Sequence, residues 1–532
     1  MESATSPTSP QPLMQQQRLM TIGVVAATLV ALIALVALPT TLAGWLLFIG
    51  AALALTVIAP LGVLCVLPLA VAFGSLATLG IGGLRAGPTD LLVGLLTISG
   101  FAALARRRSR SRLAASFSPA SSASIRAYLA DLWQSHPERI ALFGALLAYL
   151  GVIVLSLAVA TSRTATLKEI VKWSEVIGVV ALTCWLARGL WTLRLIAWGL
   201  IVAGVAQALL GCAQWALSSG SAGPGGANIR VFGTFDQPNP YGGFLNFGLP
   251  LALSLALFSR DVRERWVAAA ATALLLIAQA LADSRGALIG LAAAVIVIVV
   301  VGWRRERLAG VIALIGIPLA LIAWFTHLIP IHIQQRILDQ FRVGGLTLSC
   351  GANNGVNDAN FSTVERLAHW VAGLRMFAAH PLLGVGAGNY NAAYPAYAIA
   401  CWPEPLGHAH NYYINVAAET GLLGLLAFLA LVAAALYAGW RATHLAQTAQ
   451  SATTHMTEVA ALRRALGIGF FAVVVALCAH NVTDDLYVHA MELQFALSLG
   501  CLLMLAPPRL PHNRATAIPL LPRFGVTAQK SD

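Results

Sequence analysis

Residues 266–303 read WVAAAATALLLIAQALADSRGALIGLAAAVIVIVVVGW, two uncharged apolar runs joined only by the turn Asp283-Ser284-Arg285-Gly286. Each run is close to the roughly 20 residues that an α-helix needs to cross the hydrocarbon core of a bilayer. The residue-by-residue alternation of a membrane β-barrel is absent. The runs therefore predict helices, which satisfy their own backbone hydrogen bonds inside a membrane. Together they predict a hairpin of two membrane-spanning helices.

The same apolar pattern extends over most of the chain. Of the 532 residues, 58% are hydrophobic and only 10% are charged, and the mean hydropathy is +0.78. Soluble domains carry roughly 25% charged residues, so this composition excludes an ordinary soluble protein. The apolar runs predict an all-α integral membrane protein with about 12 to 14 transmembrane helices. The first run lacks a convincing cleavage site and is interpreted as a retained span.

The formal net charge of +12 fits membrane orientation better than nucleic-acid binding. Lys and Arg concentrate on the cytoplasmic loops of membrane proteins. With a cytoplasmic N-terminus and alternating spans, the strongly basic segments fall on the cytoplasmic side, including residues 106–112 and 304–307. We therefore expect a multi-pass protein with both termini in the cytoplasm, surrounded by membrane lipids and without a nucleic-acid partner.

Apolar and polar segments alternate along the chain and suggest its organisation. The only sizeable hydrophilic region on the predicted outer side is residues 330–410, and a long loop in a compact protein is usually functional. We expect, in order, a cytoplasmic tail, N-terminal helices, a basic cytoplasmic linker, central helices, an extracytoplasmic loop domain, C-terminal helices and a second cytoplasmic tail. Their predicted ranges are 1–18, 19–105, 106–139, 140–329, 330–410, 411–506 and 507–532.

Arg285 is unusual because it interrupts apolar sequence between two spans. A charge at membrane depth is costly and usually faces a cavity or a partner. A salt bridge with Asp283, or a side chain that reaches back to the interface, would give Arg285 a structural role. A guanidinium fork for an anionic group, most naturally a diphosphate, would give it a functional one. Spacing alone leaves both interpretations open.

Several short blocks follow one another in the segments between spans. They are Arg230-Val231-Phe232-Gly233-Thr234-Phe235 with Pro238-Asn239, then Ser284-Arg285-Gly286, then Arg366 and Trp370 with His380-Pro381-Leu382-Leu383-Gly384-Val385-Gly386, then His408-Ala409-His410-Asn411, and then Glu419-Thr420-Gly421-Leu422-Leu423-Gly424. In this order they resemble the R-x-x-G-T-F…P-N, S-R-G, R…W…P-L-x-G-x-G, H-x-H-N and E-x-G-x-x-G blocks of the O-antigen ligase/polymerase family. The resemblance covers roughly residues 190 to 440, with a weaker fit at His480 to Asp485.

The resemblance implies both a fold and a reaction. The fold would be the polytopic helical bundle of lipid-carrier glycosyltransferases, in a bacterial inner membrane, with the active site on the extracytoplasmic side. The reaction would be inverting, metal-independent transfer of a glycan from an undecaprenyl-diphosphate-linked donor to a lipid or glycan acceptor, without a cofactor. A ligase would use lipid A-core as the acceptor, a polymerase another carrier-linked repeat, and a related enzyme a protein hydroxyl. A transporter of lipid-linked sugars is the alternative from a different class.

The resemblance also assigns roles to individual residues. Arg230 and Arg285 would stabilise the negative charge of the departing diphosphate. His408 or His410 would act as the general base for the acceptor hydroxyl, because histidine titrates nearest neutral pH. A pair of histidines that caps a helix is the structural alternative. Contacts with the substrates are predicted for Arg366, Asn239, Asp236 and Asn411, although Asp236 also fits a turn cap.

The cysteines, the histidine pair and a glycine-rich segment complete the predictions. Cys350 and Cys401 both fall in the outer loop, on the oxidising side of the membrane, and are predicted to form a disulfide. No cluster has metal-ligand spacing, and the pair His408 and His410 lacks an evident third ligand, so no metal site is predicted. Residues 384–388 lack the strand-turn-helix setting of a nucleotide motif and are interpreted as a turn that packs over the cavity.

Overall fold

The computed structural model describes residues 22–33, 42–100, 134–222, 229–303, 361–444 and 454–508, except 24, 32, 77–78 and 82–83. The predicted tail 1–18, most of the predicted linker 106–139 and the first part of the predicted loop 330–410 lie outside these residues. The described chain is mainly helical. Its helices are α1 (Leu42–Ile58), α2 (Pro60–Phe73), α3 (Pro88–Gly100), α4 (Pro137–Ser156), α5 (Arg163–Leu186), α6 (Leu190–Ala216), α7 (Pro238–Phe258), α8 (Val262–Ala282), α9 (Arg285–Trp303), α10 (Phe361–Ala379), α11 (Tyr390–Tyr397), α12 (Tyr412–His444), α13 (Thr454–His480) and α14 (Met491–Leu505).

Seven of the described helices are long and apolar enough to cross a membrane, namely α4, α6, α7, α8, α9, α12 and α13. Four shorter apolar helices, α1, α2, α3 and α14, accompany them. These helices confirm an all-α polytopic membrane protein. The total of 12 to 14 spans remains a prediction, because parts of the chain lie outside the described residues.

The helix boundaries follow from local sequence. Proline stands in the first turn of α2, α4 and α7. The backbone N–H groups of a first turn have no partner within the helix, so the N–H that proline lacks is not missed there. Asp261 precedes α8 and its carboxylate accepts hydrogen bonds from the N–H groups of Arg263 and Glu264. Such N-caps satisfy donors that have no partner within the helix. The turn between α7 and α8 is therefore fixed by its own residues.

Helix α7 lies at the centre of the bundle. Most of its residues are buried, and it packs against α6, α8, α9 and α13. Almost every residue of α14 is buried as well, in contact with α5 and α13. Such helices are apolar on all sides, which is why the sequence shows no amphipathic pattern there.

The ends of the long helices gather at two faces of the bundle. At one face Arg441, Arg463 and Arg464 donate hydrogen bonds to the carbonyls of Pro507, Leu505 and Gly302. Cationic side chains commonly interact with helix carboxyl ends in this way. We call this the arginine-capped face. The opposite face holds the start of α7, the end of α8, the start of α9, the start of α12 and the end of α13.

Two antiparallel ribbons, which the sequence did not predict, join the helices. Strands β1 (Leu79–Ile81) and β2 (Leu84–Ala86) pair with Leu79 opposite Ala86. Strands β3 (Ser221–Ala222) and β4 (Ile229–Arg230) pair with Ser221 opposite Arg230. Both ribbons are too short to show an alternating pattern in the sequence. The second one places Arg230 beside the end of α8.

Candidate active site

A cavity of about 300 Å³ opens where the helix ends meet opposite the arginine-capped face. Its walls are polar, in contrast to the apolar bundle below. The residues that line it are Arg230, Gln237, Asn239, Asp283, Arg285, Ser362, Glu365, Arg366, Leu406, His408 and His410. The cavity therefore brings together six of the eight predicted site residues from four separate parts of the chain.

Arg230 is held against the carboxyl end of α8. Its Nε donates to the carbonyl of Ala282 at 3.2 Å and its guanidinium NH2 donates to the carbonyl of Asp283 at 3.0 Å. The backbone N–H of Val231 donates to the carbonyl of Leu281. These bonds fix the direction of the guanidinium and leave it at the wall of the cavity.

The G-T-F residues after Arg230 anchor this segment in the bundle. Gly233 has a φ of +57°, and a Cβ there would lie 2.2 Å from Oε1 of Gln207. Thr234 donates its hydroxyl to the carbonyl of Ala72 and accepts a hydrogen bond from Nε2 of Gln207. Phe235 is buried. The block thus positions Arg230 without contacting the cavity itself.

Each residue of the turn Ser284-Arg285-Gly286 has a separate role. Ser284 is buried, donates its hydroxyl to Oδ1 of Asn239 at 2.9 Å and accepts from the N–H of Ala287, as an N-cap of α9. Arg285 is the first residue of α9 and its NH1 donates to Oγ1 of Thr363 at 3.5 Å. A Cβ at Gly286 would lie 2.5 Å from Oγ1 of Thr483, so only glycine permits this approach.

Helix α10 supplies the third arginine of the cavity. The Nε of Arg366 is buried and has no hydrogen-bond partner among the described residues. Trp370, one turn further along α10, donates its indole N–H to the carbonyl of His410 at 3.3 Å. Arg375, by contrast, is exposed and donates to the carbonyls of Tyr397 and Ala398. Arg366 therefore belongs to the cavity, whereas Arg375 ties α10 to the end of α11.

The two histidines lie beside Asp484, which comes from the segment between α13 and α14. Nδ1 of His410 is 3.4 Å from Oδ1 of Asp484, and Nε2 of His408 is 3.9 Å from the same oxygen. The backbone N–H of His410 donates to Nδ1 of His408 at 3.0 Å. The proton of a neutral His408 is therefore on Nε2, on the side of Asp484. Nε2 of His410 is buried and has no hydrogen-bond partner within the described structure.

Burial and neighbouring charges shift the pKa values of these groups. Burial raises the pKa of Asp484, but the hydrogen bond from His410 and the positive charge of Arg366 oppose burial, and the net pKa lies well below the ordinary value. Burial lowers the pKa of His408, against the opposing charges of Asp485 and Asp484. At neutral pH the site therefore holds an ionised Asp484 next to a neutral His408.

The glycine-rich segment has a structural function. Gly384, Gly386 and Gly388 all have positive φ. The backbone N–H groups of Gly388 and Tyr390 each donate to the carboxylate of Glu419 at 2.9 Å. This part of the E-x-G-x-x-G block therefore holds the glycine-rich segment against the start of α12.

The structure places two predicted site residues outside the cavity lining. Asp236 is exposed in a turn with a φ of +59°. Asn411 is buried and its Oδ1 accepts from the N–H of Ile414, so that it caps α12. The lining residues Gln237, Ser362 and Glu365 were not singled out from the sequence. Asp484 was noted only within a weak block, because nothing in its spacing connects it to the histidines.

The cysteine and metal predictions concern residues around this cavity. Cys401 is disulfide-bonded, whereas Cys350 lies outside the described residues, so their pairing stays a prediction. His408, His410 and Asp484 present one ligand atom each within 4.8 Å of one another. Asp484 is thus a third potential metal ligand, which the sequence spacing did not show.

Comparison with known proteins agrees with this arrangement. Residues 270–429 match the family described as O-Antigen ligase. The match supports the O-antigen ligase family for this part of the chain. The matched range includes Arg285, Arg366, His408 and His410, and therefore most of the cavity wall. No curated protein matches the chain. Together with the membrane-spanning helices, the match supports a membrane glycosyltransferase of the O-antigen ligase/polymerase type.

Proposed function

We propose that this O-antigen ligase homologue transfers a glycan from undecaprenyl diphosphate to a hydroxyl of lipid A-core on the extracytoplasmic side of the inner membrane. The observation that carries the proposal is the single cavity that Arg230, Arg285, Arg366, His408 and His410 line. Three guanidinium groups suit a dianionic leaving group, and an adjacent neutral histidine suits a hydroxyl nucleophile.

The arginines would bind the donor diphosphate. Arg230 is bound to the carbonyls of the α8–α9 turn, Arg285 follows that turn as the first residue of α9, and Arg366 lines the same cavity from α10. Arg285 is also at the amino end of α9, where the helix dipole favours an anion. These groups would stabilise the charge that develops on the diphosphate as its bond to the sugar breaks. Because the arginines supply this charge, we propose that transfer needs no metal ion.

His410 is the better candidate for the general base. Both ring nitrogens of His408 face polar partners, namely the N–H of His410 and Asp484. In His410, Asp484 orients Nδ1 and leaves Nε2 for an acceptor hydroxyl. Nε2 would take the hydroxyl proton while the acceptor oxygen forms a bond to the anomeric carbon. The carbon–oxygen bond to the diphosphate breaks on the opposite side, which inverts the anomeric configuration.

Transfer by the purified protein in detergent tests the proposal. The reaction would contain a synthetic undecaprenyl-diphosphate glycan, EDTA and, separately, lipid A-core, a carrier-linked repeat or a Ser/Thr peptide. We expect product on lipid A-core, reduced at least about a hundredfold in Arg285→Ala and His410→Ala. Arg375→Ala and His380→Ala remove the same side-chain types outside the cavity and should retain activity.

Each outcome has a distinct meaning. Product on the carrier-linked repeat or the peptide, with the same dependence on Arg285, would replace lipid A-core as the acceptor and keep the donor chemistry. Loss of product in EDTA would contradict metal independence and point to His408, His410 and Asp484 as ligands. No product on any acceptor, from folded protein that binds the donor, would contradict transfer and favour transport.

A further inference from the structure

A second cavity adjoins the first across helix α10. It has a volume of about 360 Å³, and its lining residues are Phe361, Glu365, His369, Cys401, Trp402, Pro403 and Glu404. Glu365 lines both cavities. Phe361, Glu365 and His369 recur every four residues and form one stripe of α10, whereas Ser362 and Arg366 form the neighbouring stripe in the first cavity. Helix α10 is thus a wall that the two cavities share.

An aromatic pair forms the apolar part of the second cavity. The rings of Phe361 and Trp402 lie 5.2 Å apart, and 48% of Phe361 is exposed. The backbone of Trp402 is fixed, because its carbonyl accepts the hydroxyl of Tyr394 at 2.8 Å and its N–H donates to the carbonyl of Ile399. A rigid, accessible aromatic face is a surface on which the C–H groups of a sugar ring can pack.

The polar side chains of the second cavity offer acceptors. The hydroxyl of Tyr390 donates to the carbonyl of His369 at 2.8 Å, so the contact of that hydroxyl with Nδ1 of His369 requires a proton on Nδ1. Nε2 of His369 is then an acceptor, and burial lowers the pKa of His369, which keeps the ring neutral. Glu365 and Glu404 add carboxylates. No Lys or Arg lines this cavity among the described residues, in contrast to the three arginines of the first.

We propose that the second cavity binds the acceptor sugar, as a pyranose ring without phosphate. The assignment of that sugar as the acceptor rests on the proposed function. Aromatic faces suit an uncharged sugar ring, and groups that accept hydrogen bonds suit its hydroxyls. The carboxylates of Glu365 and Glu404 also suit an amino group, and both repel a phosphate. The ring of His369 lies 5.6 Å from the ring of His410. A sugar in the second cavity is therefore next to the proposed base.

Saturation-transfer NMR on the full chain in detergent, without donor, tests this site directly. The probes are glucose, glucosamine and glucose 6-phosphate. We expect transfer to glucose and glucosamine, and a signal at least about tenfold weaker for glucose 6-phosphate. Trp402→Ala should abolish the signals and Trp402→Phe should restore most of them. Trp191→Ala, an exposed tryptophan at the start of α6, is the matched control.

A second variant separates binding from folding. Glu404→Gln changes an exposed side chain and should weaken glucosamine more than glucose. Unchanged signals in Trp402→Ala, or equal signals for glucose and glucose 6-phosphate, would overturn the inference. Sugar binding that depends on Trp402, with no transfer to any acceptor, would overturn the proposed function and the name acceptor for that sugar, and would leave the sugar site itself standing. Transfer that depends on Arg285, with sugar binding indifferent to Trp402, would overturn this inference alone.

Discussion

At the scale of single residues, the carboxylate of Asp484 links the two histidines of the cavity. It lies 3.4 Å from Nδ1 of His410 and 3.9 Å from Nε2 of His408. An anion at this distance stabilises a protonated imidazole, and it raises the pKa of His408 against the lowering effect of burial. The net pKa of His408 still lies below its ordinary value, because burial outweighs the neighbouring carboxylates.

The negative charge of Asp484 beside the histidines predicts how a substitution there changes the pH dependence of transfer. A general base acts only when it is unprotonated, so the rate should fall as the pH drops through the pKa of the base. Asp484→Asn removes the anion that stabilises the protonated rings. We expect the acid limb of kcat/KM to move to lower pH and the maximal rate to fall, because the His410 ring loses its orienting partner. Asp261→Asn, on an exposed carboxylate before α8, should leave the profile unchanged. A limb that moved to higher pH would contradict the role of Asp484.

The sequence predicted most of the residues that line the cavity, but it did not show that Asp484 lies beside the two histidines. Charge in apolar surroundings singled out Arg285, and the order of short blocks singled out Arg230, Arg366, His408 and His410. Asp484 is 74 residues from His410, and an aspartate between two spans has no spacing that reveals a partner. Asp236 belongs to the same blocks, but it is exposed and does not line the cavity. The sequence shows that a residue is near others along the chain, and it does not show the direction in which its side chain points.

At the scale of helices, the start of α12 shows how backbone geometry supports the site. Gly421 has φ +65° and ψ −162° and interrupts the helix. The N–H groups of Val385 and Gly386 donate to the carbonyls of Ala418 and Glu419, just before the interruption. The kink in α12 thus leaves two backbone carbonyls free to accept hydrogen bonds from the glycine-rich segment. In a straight helix these carbonyls would be bonded within the helix.

This geometry predicts a strong effect of one methyl group. A Cβ at Gly421 would lie 2.3 Å from the carbonyl carbon of Leu382, and its backbone conformation is essentially restricted to glycine. We expect Gly421→Ala to destabilise the protein by about 3 kcal/mol or more, measured by thermal unfolding in detergent. Gly151→Ala in α4, where a Cβ would meet nothing within 4 Å, should be as stable as the wild type. Equal stability of both variants would contradict the role of the kink.

At this scale the predicted and observed helices differ mainly in where they begin and end. The turn and the end of the 266–303 hairpin were predicted within about one residue, because polar residues mark them, whereas α8 begins at Val262, four residues before the apolar run. Helix α5 begins at Arg163, before its apolar part, and it is not one of the seven described helices that are long and apolar enough to cross a membrane. Ser162 accepts from the N–H of Ala165 and starts α5 earlier than hydrophobicity indicates. Local capping therefore sets helix ends that hydropathy leaves undefined.

At the scale of the whole molecule, the alternation of helices separates a polar cavity from the arginine-capped face. Composition and span length were sufficient to predict this all-α membrane architecture, since few other folds bury so much apolar sequence. The cavity itself could not be predicted from composition or span length. It arises from residues that the chain brings together only after α7, α8, α9, α12 and α13 have packed.

The distribution of charge between the two faces predicts the orientation of the molecule. Arg260, Arg263 and Arg265 stand at the turn between α7 and α8, on the arginine-capped face, and basic loops prefer the cytoplasm. We therefore expect the cavity to open to the extracytoplasmic side. In a cysteine-free background, an impermeant maleimide should label Glu404→Cys in intact spheroplasts, and Arg263→Cys only after permeabilisation. Both positions are exposed, so accessibility within the protein does not distinguish them. The reverse labelling would place the cavity in the cytoplasm, where an acceptor outside the membrane could not reach it.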